Sequence, residues 1–286
     1  MEFLALIVAL AIYAWRGDGA PVQQDRWYAS FQQFLASWMS GRGLQIAGVV
    51  LPVLLLEVLY LVLGGVLGGL PEFALLVAVL LYALGRGNLG VAVAAYLERW
   101  SRGDFQAAHE VLMESPSVDS AEGIDSPPTL HAAARRRLYY RAFERAYAVI
   151  FWFVLGGPAA ALAYRLARLQ KEEPASVSSA APDRLPLCAW LEWVPARLLA
   201  LSFALVGDFD ACLRRWRELF AESNAAAVDV LEVCGNAALG TREPHTAESQ
   251  EQLVSRSAAE IESVQVLHRR AMVVWLVVVA LLAMIG

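Results

Sequence analysis

Arg137, Arg141 and Arg145 stand four residues apart in "RRLYYRAFERAY" (136–147), a spacing that sets three guanidiniums on one face of a helix. A guanidinium is planar and permanently charged, and its paired donors match the oxygens of phosphate or carboxylate. Such a face suits an anionic small ligand or a lipid headgroup. The same residues also serve as a positive-inside anchor for the apolar run "AVIFWFVLGGPAAALAY" (148–164) that follows them. Of these two readings the anchor takes the larger share, and both stay open here. A fourth arginine, Arg197, follows Pro195 inside the apolar "WVPARLLALSFALVG" (193–207). Proline leaves a helical carbonyl without its donor, so Arg197 can satisfy that carbonyl, grip an anion or snorkel to the interface. Glu192 is its nearest candidate for an ion pair. Glu57 is the one charge in "VLPVLLLEVLYLV" (50–62), where a carboxylate is costly unless it is neutralised or paired. A structural role, as a neutral protonated acid or in a pair with an arginine of another helix such as Arg197, is favoured over a proton relay.

Other chemistries find little support. Of 23 basic residues only Lys171 is a lysine, in "LQKEEP", so no glycine-lysine phosphate loop exists. Cys188, Cys212 and Cys234 lack CxxC spacing and read as buried thiols. The histidines 109, 131, 245 and 268 form no metal-binding spacing, and the expectation is no metal and no cofactor. With a net charge of −5 the chain has no basic footprint for nucleic acid.

The elements that must carry these residues are helices in a bilayer. The chain has 286 residues, 58% hydrophobic and 18% charged, against about one quarter charged in ordinary soluble domains. No stretch keeps a two-residue alternation, so sheet is not expected. The N-terminal "MEFLALIVALAIYAW" opens with an acid and reads as a retained helix, short for a crossing. In "DRWYASFQQFLASWM", Trp27, Phe31, Phe34, Leu35 and Trp38 share a face, which either lies in the membrane interface or packs in a core. Residues 44–64 and 73–85 form an apolar hairpin around "GGVLGGLPE", with Pro52 a kink and Arg42 and Arg86 marking the cytoplasmic side. The glycine pairs Gly64/Gly68 and Gly65/Gly69 read as a turn before they read as a dimer contact. The polar "ESPSVDSAEGIDSPPT" (114–129) reads as a loop. "GGP" (156–158) interrupts the next apolar run, which either dips and returns or is followed by a crossing back at 188–207. "HRRAMVVWLVVVALLAMIG" ends the chain as a short span after a basic stop.

Two "GDF" triplets, at 103–105 and 207–209, punctuate helical hairpins, with Gly103 and Gly207 ending one helix in αL and Asp104 and Asp208 capping the next. The resulting expectation is an all-α integral membrane protein with four to five membrane segments, one of them free to be re-entrant, and a helical cytoplasmic part. Its segments are 1–42 (apolar plus interfacial helix), 43–88 (hairpin), 89–146 (cytoplasmic helices), 147–207 (membrane segments around a Pro/Ser-rich linker), 208–270 (cytoplasmic helices) and 271–286 (final span).

In order, the blocks "FWFVLGGPAAALAYR" (151–165), "WVPARLLALSFALVG" (193–207), the GDF hairpins and the final span resemble the AmpE family. That family is in turn similar to the cobinamide-phosphate synthases (CobD/CbiB), which join an amino alcohol to a corrinoid carboxylate. The synthases place a Glu-Ser-x-x-Glu-Asn-x-x-Asp-Gly cluster before the "FW" block, where this chain has only Glu144 among arginines. Their Asp-Ser pair after the "ALAYK"-like block is missing too, and "ESNAAA" keeps only Ser223 and Asn224 of a Ser-Pro-Asn-Ala-Gly motif. Nucleotide-driven carboxylate activation uses such acids to hold Mg²⁺. The resemblance therefore implies a bacterial inner-membrane regulatory protein of the β-lactam or cell-wall stress response, on a synthase scaffold that has lost its reaction. Two rivals stand beside it. One is a ligase-like enzyme built on Glu144, Ser223, Asn224 and Arg197. The other is a membrane scaffold that binds another membrane protein or a second copy of itself.

Overall fold

A computed structural model describes residues 2–16, 25–63, 69–85, 89–113, 126–172, 186–221, 225–241 and 250–285. Among them the chain is all helix, in the order α1 (Glu2–Arg16), α2 (Arg26–Ala36), α3 (Gly41–Leu63), α4 (Leu70–Ala83), α5 (Leu89–Ser101), α6 (Phe105–Met113) and α7 (Pro127–Ala142). A π turn, Phe143–Tyr147, precedes α8 (Ala148–Glu172), α9 (Leu187–Val206), α10 (Phe209–Ala221), α11 (Ala227–Leu239) and α12 (Gln250–Ile285). Among the described residues, four stretches are long and apolar enough to cross a membrane: Gly41–Leu63, Pro127–Lys171, Leu187–Val206 and Glu251–Ile285. The glycines Gly64, Gly65 and Gly68, together with Ser223 and Asn224, lie outside the described residues.

The chain divides into two compact units, and neither is continuous in sequence. One holds residues 1–87 and 148–191, the other 88–147 and 192–286.

In the first unit α3, α4 and α8 pack on one another, with α1 against α4 and α2 against α3. Tyr28, Leu56, Val79, Tyr82, Leu162, Leu166 and Leu169 form its core. Helix α2 turns Tyr28, Gln32 and Leu35 inward and leaves Trp27, Phe34 and Trp38 exposed. The expected shared face is therefore split: Leu35 is buried and Phe31 packs against the core, while Trp27, Phe34 and Trp38 stay outward, where aromatic side chains suit a lipid interface. The buried Gln32 amide donates to the Tyr28 hydroxyl at 2.6 Å, and Arg165 of α8 reaches Asp25 at 3.1 Å.

Pro158 follows a true break in α8. Gly156 and Gly157 leave helical geometry, Gly157 at φ 64° and ψ −160°, a region few other residues enter. Proline then opens the second half, where its missing N–H costs nothing.

The second unit packs α5 on α6, α6 and α11 on α7, α10 on α11, and α12 on α5, α7 and α11. Here the expected loop 114–129 ends early. Ser126 caps α7 in a capping box with Thr129, and Pro127 and Pro128 lie in the first helical turn rather than in the loop. The final span is also longer than its apolar run: α12 is one 36-residue helix from Gln250, so the end of the segment 208–270, expected as separate cytoplasmic helices, and the span are a single element.

The two GDF turns do different things. Gly103 is left-handed, at φ 81°. Gly207 is glycine for space: a Cβ there would stand 2.6 Å from the Ala238 carbonyl oxygen. That close approach lets the Asp208 N–H donate to the same oxygen at 2.8 Å. The aspartates act alike, Oδ1 of Asp104 accepting from Ala107 N–H at 3.3 Å and Oδ1 of Asp208 from Ala211 N–H at 3.0 Å.

Candidate functional site

Helix α7 carries Arg135, Arg136, Arg137 and Arg141, and the fold sends them in different directions. Arg135 Nη1 reaches Glu260 of α12 at 2.6 Å, with both side chains nearly buried. Arg136 clamps α11, donating to Asp229 and Glu232 at 2.6 Å each. Arg137 and Arg141, one turn apart, are buried to 2% and 6% exposure. Tyr140 shares their face, and its hydroxyl proton is shared between both oxygens of the buried Glu192, each 2.9 Å away. Arg145 and Glu144 are half-buried and belong to the π turn. That turn interrupts the α-helical register on which the four-residue arginine spacing was read, and such turns occur often at functional sites.

Arg197 is buried, and its environment differs from the expectation built on Pro195. The carbonyl that Pro195 frees is that of Leu191, and Trp152 Nε1 donates to it at 3.0 Å. Arg197 donates instead to the Trp193 carbonyl at 3.2 Å, with its guanidinium carbon 4.1 Å above the Trp193 ring. Trp216 Nε1 donates to the Arg197 carbonyl at 2.9 Å, and Phe220 stacks on Trp216 at 4.9 Å between ring centroids. Stacking on aromatic faces holds a guanidinium while leaving donor edges for an anion.

The second unit thus contains three buried guanidiniums, of Arg137, Arg141 and Arg197, and the buried carboxylate of Glu192. Glu57, by contrast, belongs to the first unit and is exposed on α3. Among the described residues, no three or more His, Cys, Asp or Glu side chains gather in a way that could hold a metal ion.

A second polar cluster escaped the sequence. Tyr96, His131, Glu260, Arg135 and Arg256 join α5, α7 and α12. The Tyr96 hydroxyl lies 2.9 Å from His131 Nδ1, and His131 Nε2 lies 3.1 Å from Glu260 Oε2. Arg256 reaches the other Glu260 oxygen at 3.4 Å. With Glu260 ionised, Nε2 is the donor and Nδ1 accepts the phenol proton. Burial first, and then the Glu260 charge, push the Tyr96 phenol well above its ordinary range, so it stays a donor. The i,i+4 pairs His131/Arg135 and Arg256/Glu260 were the only local signal. Their partners lie 125 or more residues away.

The order of helices, the broken α8 and the arginine-rich α7 can be set beside known proteins. The profile of the family described as "Regulatory signalling modulator protein AmpE" matches residues 1–286. The chain belongs to the AmpE family. It is similar to "Protein AmpE" of Shigella flexneri, 25% identical over 233 residues, which covers 78% of this chain and 80% of that protein. It is also similar to "Cobalamin biosynthesis protein CobD" of Stutzerimonas stutzeri (strain A1501), 31% identical over 194 residues. That match takes in 62% of this chain and spans 60% of the CobD protein's length. No solved structure matches. Family and helices together make this a membrane protein of the regulatory signalling modulator type.

Proposed function

We propose that the chain is a multi-pass inner-membrane regulatory protein that responds to an anionic ligand, in the setting of β-lactamase induction or cell-wall stress. The AmpE membership supports the regulatory part. One observation carries the ligand: Arg137, Arg141 and Arg197 are buried in the same unit with Glu192, which Tyr140 holds in place. Guanidinium forks match the paired oxygens of phosphate and carboxylate, and an anion taken into a buried, positively charged unit is held by charge as well as by hydrogen bonds. The π turn that follows α7 is a local irregularity able to shift when charge is added.

The test is a thermal-unfolding titration of the purified chain in nanodiscs of zwitterionic lipid, first with inorganic phosphate and then with anionic phospholipid. Saturable stabilisation that disappears in Arg141→Met supports the ligand. A melting temperature that no anion moves overturns it. The regulatory half is tested in the native host, by β-lactamase activity after inducer with the gene present or deleted. Equal induction in the two strains removes the β-lactam link.

The likeness to a CobD protein favours a second reading, an amide-forming membrane enzyme. It calls for Glu144 and Arg197 to meet Ser223 and Asn224. Expression in a strain lacking its cobinamide-phosphate synthase decides it: growth dependent on corrinoid assembly establishes the enzyme, and no growth with confirmed membrane expression removes it.

A further inference from the structure

Helix α3 is the most exposed of the spanning stretches, with 11% of its apolar window buried, and Gly48 and Leu56 are the residues it turns inward. Its outward side is not a random apolar surface. Gly43, Ala47, Val50, Leu54, Glu57 and Leu61 recur at alternating spacings of four and three, the seam of a left-handed helix pair. Val50, Leu54 and Leu61 are 43%, 54% and 75% exposed, and nothing lies within 4 Å of where a Gly43 Cβ would be. Small residues at one end of such a seam let backbones approach closely.

Glu57 occupies one position of this seam. At 1.5 Å rise per residue it lies about 9 Å from the end of α3 and about 24 Å from its start, inside a hydrocarbon layer about 30 Å thick. It is exposed, and no described hydrogen bond or ion pair holds it. One turn further on, Tyr60 bonds to Glu72 of α4 at 2.5 Å, so the other acid of this hairpin has its partner within the chain.

We propose that α3 is a self-association surface: two copies pack α3 against α3 about a two-fold axis normal to the membrane, with Glu57 facing Glu57. A second copy suits the seam for two physical reasons. Both copies insert with the same topology, so the two carboxyl groups arrive at one depth without further tuning. Two carboxyl groups that share a proton are donor and acceptor to each other, so the polar group is satisfied by its own image. A partner of different sequence would need a complementary group at that same depth.

The test uses the full-length chain in liposomes at low protein-to-lipid ratios. Dimer fraction is read by single-molecule photobleaching of end-labelled protein. Disulfide crosslinking is read in parallel on Leu54→Cys and Leu61→Cys, with Leu55→Cys as a control one position off the seam. The expected result is a dimer whose seam cysteines crosslink while the control does not. Glu57→Gln, which still donates and accepts, keeps the dimer; Glu57→Leu weakens it by about five- to thirty-fold. A chain that stays monomeric overturns the proposal, as do crosslinks off the seam or association indifferent to Glu57→Leu. If the purified chain is monomeric while Leu54→Cys captures another protein in native membranes, α3 is a surface for a different partner and the proposal falls as well.

Discussion

Glu260→Met should be among the most damaging single substitutions in the second unit. The Glu260 carboxylate takes Arg135 at 2.6 Å, His131 at 3.1 Å and Arg256 at 3.4 Å, and its side chain is 12% exposed. Methionine keeps the volume and removes the charge. Arg135, itself 13% exposed, then stays nearly buried without its anion, and Arg256 is left at the edge. Removing one partner of a buried pair costs about 3–5 kcal/mol, because the other charge is stranded. Water reaching the Arg256 side favours the lower end, about 3 kcal/mol. Replacing both partners, Arg135→Met with Glu260→Met, leaves no stranded buried cation and should recover about 2 kcal/mol of that loss. Arg136 is the internal control: it is 35% exposed with partners at 43% and 19%. Solvent screening therefore limits Arg136→Met to about 1 kcal/mol. The assay is equilibrium unfolding in mixed detergent and SDS micelles, followed by tryptophan fluorescence for the four proteins side by side. A Glu260→Met loss below about 1 kcal/mol, or a double mutant no better than the single, refutes the reasoning. Either result would mean that the cluster is wetter than its geometry indicates.

Three further outcomes follow from the packing. Gly207→Ala drives a Cβ to 2.6 Å from the Ala238 carbonyl oxygen and competes with the Asp208 N–H bond to it; unfolding should show about 1–3 kcal/mol lost. His268→Leu should be neutral or stabilising by about 1–2 kcal/mol in the same assay. Both ring nitrogens are buried without a hydrogen-bond partner among the described residues, between Tyr139, Tyr147 and Phe203; a clear destabilisation would mean that those nitrogens are used. Cys188, Cys212 and Cys234 are all buried. The buried Cys234 thiol donates to Cys212, which pushes Cys234 far above its ordinary range and holds Cys212 below its own, so that burial alone shields Cys212. Iodoacetamide at neutral pH should leave Cys212 and Cys234 unmodified until denaturant is added, as mass spectrometry of the native and unfolded chain would show.

Much of the fold was legible because it depends on local quantities. Apolar runs longer than the bilayer is thick announce spans, and "GDF" announces helix ends wherever it occurs. The aromatic residues of α2 could be placed on one face from spacing alone. Which part of it turned inward was decided by the core that Tyr28 and Phe31 join, with Leu56, Val79 and Leu162 of other helices. The arginines were legible as a cluster and not as individuals. Their spacing assumed one uninterrupted α-helix, and the π turn at Phe143–Tyr147, with no proline or glycine to mark it, changed the register.

What the sequence alone determined is the kind of protein this is: helical, membrane-borne, rich in arginine and assembled in the AmpE order. Each of those properties sums over neighbours within a turn or two of helix, and so survives without knowledge of the tertiary fold. Only the tertiary structure decided who meets whom. It assigned Trp152, not Arg197, to the carbonyl freed at Pro195, and gave Gly207 its role through Ala238. It closed His131 and Arg135 on Glu260, 129 and 125 residues away. The physical reason is that a buried polar group is satisfied by whichever donor or acceptor packing brings within about 3 Å, and sequence spacing carries no record of that distance.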